Sequence, residues 1–413
     1  MAEKLRFAVR KFDPFEQALK KIWQTYRETS GTGLEMEFVP MDLEELYFHL
    51  FTRDGLMDGS WDIVHINTDW IAQAYARGGL AALNLYLESR PPEAYGTAWC
   101  ESLSGLQNFD GKIVGLPFHD GPECLIFRKD LFEHPVYREA FVRRYGSTLE
   151  IPVTWDDFLR VADFFTRPEE GLYGTVFAGY PDGHNAVFDF CVQLWSRGGR
   201  LVDDSHRVLI NQPVAEEALD FYRDLFRTRV CLHPQSHSLE SIGAGQTFAR
   251  GEVAMMINWF GFAAWAQVDT RSSVRGNVDV APIPVHKGLS PLSLNVYWLY
   301  GIAQGSVQKQ HAYEFIRHAV SPENDKLLTL EGGIGCRLST WKDADVNRHI
   351  PFFGKLPLLH QQARTLPRLA TWPAIAHIID KTVAAAIQTD IPSGRLLADA
   401  QHTINLCYDT YSL

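Results

Sequence analysis

The residues best placed to do chemistry lie where an apolar run stops. Val253-Ala254-Met255-Met256-Ile257 has no helical stripe and suits a strand buried on both faces; it ends in Asn258-Trp259-Phe260-Gly261. An amide and two large rings at the carboxyl end of a buried strand stand where open α/β sheets form ligand crevices. The competing reading is that Trp259 and Phe260 are core, as most large rings are. Asp182, His184 and Asn185 form a second polar group at a strand's carboxyl end. Asp182 with Asp189 offers the carboxylate pair that glycoside hydrolysis uses, but Asp189 falls inside an expected helix and reads as a surface charge. There is no GxSxG, HExxH, P-loop or Rossmann glycine pattern. The expected activity is therefore binding, not catalysis.

Those residues need a large scaffold. A chain of 413 residues exceeds what one hydrophobic core organises, so two lobes are expected. Hydrophobic residues make up 46% and charged residues 22%, the balance of a globular protein. The net charge of −11 argues against a nucleic-acid partner and against a polybasic membrane anchor. No stretch reads as a transmembrane helix. The six cysteines are scattered, with no CxxC and no Cys/His cluster at metal spacing, so neither a metal nor a cofactor is expected. The chain enters a strand-like segment at 5–9 without a leader, which fits either a cytoplasmic protein or a mature exported form.

Strand-like and helix-like segments alternate along the chain. Strands are expected at 5–9, 34–39, 61–67, 112–116, 125–127, 174–179, 253–257, 278–283 and 294–302. Helices are expected at 14–30, 42–52, 71–77, 155–166, 182–195, 213–228 and 311–319. Thr154 is a suitable N-cap for the fourth of these, with Asp157 in the reciprocal position. The repeated strand-helix-strand order marks the α/β class with a mostly parallel sheet.

Several segments, in this order, carry a resemblance. They are Trp61-Asp62-Ile63-Val64 with Asp69 and Gly79-Leu80; Asp110 to Pro117 with Leu125 to Leu131; Thr154 to Phe158; Phe248 to Asn258; Val280 to Pro284; and Gly332 to Ser339. Together they are similar to the extracellular solute-binding proteins of ABC importers, the family of maltose-binding-protein-like sugar receptors. Phe248 to Asn258 fits the family's F..GE.AM.IN pattern and is the most specific match.

The resemblance implies a two-lobed periplasmic-binding-protein fold (type II) with a ligand cleft between the lobes. Lobe 1 would comprise 1–116 and 289–331, lobe 2 would comprise 125–284 and 339–413, and 117–124, 285–288 and 332–338 would be hinge crossings. It implies a periplasmic or extracellular monomer that closes around a carbohydrate and delivers it to a membrane permease. Asp69 matches a ligand-binding aspartate of the family and would accept from sugar hydroxyls; a helix N-cap is its other reading. Trp70 stands beside it where the family's maltose receptor has an arginine, and Asn67 ends the same strand. Trp259 and Phe260 follow the family asparagine at Asn258, and Trp372 resembles a C-terminal stacking tryptophan. His119 and Asp120 lie in the first crossing and Arg337 in the third. Alternation along 294–302 puts Asn295 and Tyr297 on one face and Trp298 on the other. Arg337 and the histidines keep an anionic ligand (a sugar acid or phosphate ester) open beside a neutral sugar. An osmolyte receptor, a cytoplasmic sensor on the same fold and, last, a glycoside-acting enzyme are the further alternatives.

Overall fold

The computed structural model describes residues 4–410 as two compact units. The first comprises Met1–Gly121, Val296–Leu356 and Arg368–Ala370; the second comprises Pro122–Asn295, Pro357–Pro367 and Thr371–Leu413. The expected partition differs at three places. Segments 339–356 and 368–370, expected with the second lobe, pack with the first unit, and 289–295, expected with the first, packs with the second.

In the first unit a sheet runs in the order Glu35–Met41, Lys4–Arg10, Ile63–Asn67, Trp298–Ile302, Leu116–His119. The first three strands are parallel, and Trp298–Ile302 is antiparallel to both of its neighbours. Ile63–Asn67 is buried at all five positions because it lies inside the sheet with both faces covered. The Asp13–Ser30 helix buries Phe15, Ala18, Leu19, Ile22, Trp23 and Tyr26, the spacing of a single apolar stripe. Pro14 sits in its first turn, and Gly31, at φ 65°, ends it by donating to the Arg27 carbonyl.

In the second unit the order is Ala363–Arg364, Ser293–Leu294, Glu123–Arg128, Val253–Trp259, Tyr173–Val176. Val278–Ala281 also pairs with Glu123–Arg128. Val253–Trp259 is parallel to Tyr173–Val176 and antiparallel to Glu123–Arg128, so the carboxyl end of the first two and the amino end of the third share one edge. Helix Trp155–Phe165 starts as expected, with Thr154 Oγ1 accepting from the Asp157 N–H.

The expected strand over 294–302 is in fact two: Ser293–Leu294 belongs to the second unit and Trp298–Ile302 to the first. The alternation argument for Asn295, Tyr297 and Trp298 therefore fails, because no continuous strand carries all three. Among the described residues no helix is long and apolar enough to cross a membrane. Among the described residues no cysteine is in a disulfide.

Candidate functional site

The polar strand ends of the first unit centre on Trp298. Across three adjacent strands Asn67 is opposite Trp298 and Trp298 is opposite His119, so these side chains form one row at the sheet edge. Trp298 is half-buried and meets the fully packed Trp70 edge-on at 5.8 Å. Asn67 Oδ1 accepts the Asp69 N–H at 3.2 Å, which turns the chain out of the strand and into the Ile71–Ala76 helix. Asp69 itself is buried beside that turn.

Other expected ligand contacts in this unit have work within the chain. His119 Nδ1 accepts the Ile334 N–H at 2.9 Å, and the Asp120 N–H donates to the Ile334 carbonyl at 3.0 Å. These two bonds fasten segment 332–336. Burial lowers the His119 imidazole to about 4, against the pull of Asp120, so it is neutral at pH 7. Tyr297 is fully buried with its hydroxyl donating to Gln107 Oε1 at 2.8 Å.

Arg337 is bonded into the fold. It is 2% exposed; its guanidinium donates to the Val320 carbonyl at 2.6 Å and to the Glu93 carbonyl, and its backbone N–H donates to Asp325 Oδ2 at 3.1 Å. Asp325 also accepts from the Cys336 N–H and the Thr340 hydroxyl, which completes the local network.

In the second unit Asn258 is likewise a positioning residue. Its Nδ2 donates to the Ser241 carbonyl at 3.0 Å and its Oδ1 accepts the Trp259 N–H at 2.8 Å. Phe260 and Trp372, the other expected platforms, are both fully buried. Asn295 is buried and its N–H donates to the Arg364 carbonyl at 2.8 Å. Trp259 remains half-buried, with Phe188 edge-on to it at 5.7 Å and His184 against Phe188 at 5.2 Å.

Asp182 caps the Asn185–Trp195 helix: Oδ1 accepts from the His184 and Asn185 N–H groups, and Oδ2 from the Asn185 amide at 2.8 Å. Asp189, expected on the surface, is buried with Oδ2 accepting from the Tyr222 hydroxyl at 2.8 Å. Burial pushes Asp189 up to about 8, and the Asp182 charge adds to the effect. The sequence did contain the signal. Asn185–Trp195 is apolar nearly all round, and a helix of that kind is buried on every face, its one acid included.

Glu123 was not singled out from the sequence. It is the cross-strand partner of Trp259, so the two side chains share a face. It is 5% exposed, and burial, followed by the Asp189 charge, holds its carboxyl well above the usual range. Among the described residues no group of His, Cys, Asp and Glu is arranged to hold a metal ion.

Comparison with known proteins follows this geometry. Residues 52–326, more than half of the chain, match the family model described as bacterial extracellular solute-binding protein. The chain belongs to that family.

This solute-binding protein is 25% identical over 268 residues to a probable ABC transporter-binding protein of Deinococcus radiodurans, across 63% of this chain. It spans 60% of that relative's length. A maltose-bound MalE3 of T. maritima has a similar fold, with a TM-score of 0.86 at 23% identity, covering 98% of this chain and 100% of the other. A solute-binding protein of Agrobacterium radiobacter K84 in complex with ribitol gives 0.85 at 23% identity, covering 97% and 98%. One of Agrobacterium vitis S4 with D-mannitol gives 0.84 at 21%, covering 99% of each. These likenesses establish a two-lobed periplasmic-binding-protein fold for the solute-binding protein described here.

Proposed function

We propose that this protein is the substrate-binding component of an ABC importer and takes a sugar or polyol for delivery to a membrane permease. One observation carries the reading. Of eleven tryptophans eight are buried, and a ninth, Trp265, sits on a helix with its side chain bonded to Asp269. The two left are Trp298 and Trp259, one at the strand ends of each unit, each beside buried polar side chains. A half-buried ring flanked by hydrogen-bonding groups suits the C–H face and hydroxyl edge of a carbohydrate. Asn67 and Asp69 supply that edge beside Trp298; Glu123 and His184 supply it near Trp259. The relatives solved with maltose, ribitol and mannitol support the same ligand class.

The anionic alternative loses its main support, since Arg337 is committed to backbone carbonyls. The enzyme alternative is weakened too: Asp182 caps a helix and Asp189 is bonded to Tyr222, so neither is free to act on a glycosidic oxygen.

A thermal-shift screen against mono-, di- and trisaccharides and alditols tests the reading. A ligand at about 100 times its dissociation constant adds about 2.7 kcal/mol of stability, an easily measured shift. A folded protein that responds to no sugar or polyol at millimolar concentration refutes it.

A further inference from the structure

Four acidic side chains of the second unit converge from separate segments. Glu123 opens a strand, Asp182 precedes the Asn185–Trp195 helix, Asp189 lies within it, and Asp380 lies on the Trp372–Gln388 helix. Tyr222 marks their centre: it donates to Asp189, and the charges of Asp189, Glu123 and Asp380 all act on it. Glu123 also acts on the Cys191 thiol, two residues after Asp189 in the same helix.

Among the described residues no lysine or arginine acts on the cluster. The influences on the four carboxyls are burial, one another, Tyr222, Asn185 and backbone N–H groups. A second observation is independent of this count. Glu123 Oε2 and Asp380 Oδ1 are buried and accept no hydrogen bond among the described residues. A carboxylate left unpaired in a low-dielectric site is costly, and the fold answers with protons: burial takes Asp380 to about 6 and Asp189 to about 8. Such an arrangement is a poor structural choice where a well-packed apolar group would serve, and it stands beside Trp259, the ring proposed to meet ligand.

We propose that the ligand carries a protonated amine, as an amino sugar or amino alditol, whose ammonium is held by the carboxyl cluster through Glu123 while its C–H face lies on Trp259. The inference rests on the carbohydrate reading above and specifies its substrate class. An ammonium donates three hydrogen bonds and supplies the positive charge that the chain lacks there. The indole face of Trp259 favours the same charge.

The test uses matched pairs on the whole protein by titration calorimetry at pH 7.5: D-glucosamine against D-glucose, N-methyl-D-glucamine against D-sorbitol, and chitosan oligosaccharides against maltodextrins. The amine of at least one pair is expected to bind tenfold or more tighter than its neutral partner. Its heat should vary with the ionisation enthalpy of the buffer, because the ammonium displaces protons held by Glu123 and Asp189. Glu123→Gln should erase the preference for the amine over its neutral partner; Asp380→Asn is the second variant should the first fail to fold. Neutral members binding as tightly as the amines, or tighter, overturn the amine inference and leave the carbohydrate reading standing. Silence from all six compounds overturns both.

Discussion

Arg337 and Asp325 in the first unit are buried as deeply as Glu123 and Asp189 in the second, yet the two units satisfy their buried charge by different means. In the first, a guanidinium donates to two carbonyls, and a carboxylate accepts from two backbone N–H groups and a hydroxyl. In the second, three of four acids are buried and the chain offers them protons and one phenol. The difference separates architecture from recognition. A buried ion bonded mainly to backbone carbonyls of its own unit holds a loop in place; buried acceptors left open are what a ligand can complete.

The largest effect expected from this contrast is at Arg337. Arg337→Ala would leave the Val320 and Glu93 carbonyls short of a donor and take away the positive charge near Asp325, a loss of about 3–5 kcal/mol for breaking a buried charged network. Denaturant unfolding measures the loss, and calorimetry on the folded variant should find ligand affinity unchanged. A stable variant that fails to bind would move Arg337 back among the ligand contacts.

Asp189 gives the next effect, and its sign is opposite to that of an ordinary paired carboxylate. Its folded value of about 8 is above the unfolded one, so the folded state binds the extra proton. The stability that this proton confers is present below about pH 4 and is lost as pH rises towards 8; Glu123 and Asp380, also raised, act in the same direction. Asp189→Asn keeps an acceptor for the Tyr222 hydroxyl and cannot ionise. Its melting temperature should fall less between pH 4 and 8 than that of the parent, and parallel profiles would contradict the assignment.

Much of the scaffold was legible in the chain. The apolar run before Asn258 is a strand, the stripe over 14–30 is a helix, and Thr154 caps where its side chain can. The family pattern over 248–258 fixed what kind of protein this is. The site was legible only in part, since residue type says which groups can bind a ligand and not which are already bonded. Arg337 and Tyr297 looked like ligand contacts until Val320, Glu93 and Gln107 were seen to take their donors. Glu123 was passed over although a lone acid heading Cys124-Leu125-Ile126-Phe127 is itself anomalous. The 294–302 run misled because a change of packing unit after Asn295 leaves no mark on hydrophobicity.

The two exposed-side rings offer a smaller and more direct comparison. Trp259→Ala and Trp298→Ala should each weaken ligand binding about tenfold, or about 1.4 kcal/mol, with little change in unfolding free energy because both rings are half-buried. Trp372→Ala, which removes a fully buried ring, should show the reverse: a stability loss of about 3–5 kcal/mol. Affinity measured on the folded fraction separates the two classes. An unaltered affinity in Trp259→Ala would remove the second unit's platform and the amine inference with it.

The smallest effect returns to the first unit, where His119 should give a pH response of the other sign. Its imidazole is lowered from 6.5 to about 4 by burial, and the neighbouring His65, stacked on Phe118 and also buried, is lowered well below the ordinary value. The unfolded chain binds these protons first, so the stability is present above about pH 6.5 and is lost as pH falls towards 4. Asp120 opposes the shift at His119, while Phe15 and Phe118 contribute burial without charge. Protonation at Nδ1 would also break the bond from the Ile334 N–H and loosen segment 332–336. His119→Gln retains an acceptor and cannot titrate, so its melting temperature should fall less than the parent's between pH 6.5 and 4 while matching it in slope from 7 to 8. Asp189→Asn should change the slope across the whole span from pH 4 to 8, and His119→Gln should change it with the opposite sign only between pH 4 and 6.5; slope changes of the same sign in the two variants would contradict the assignment.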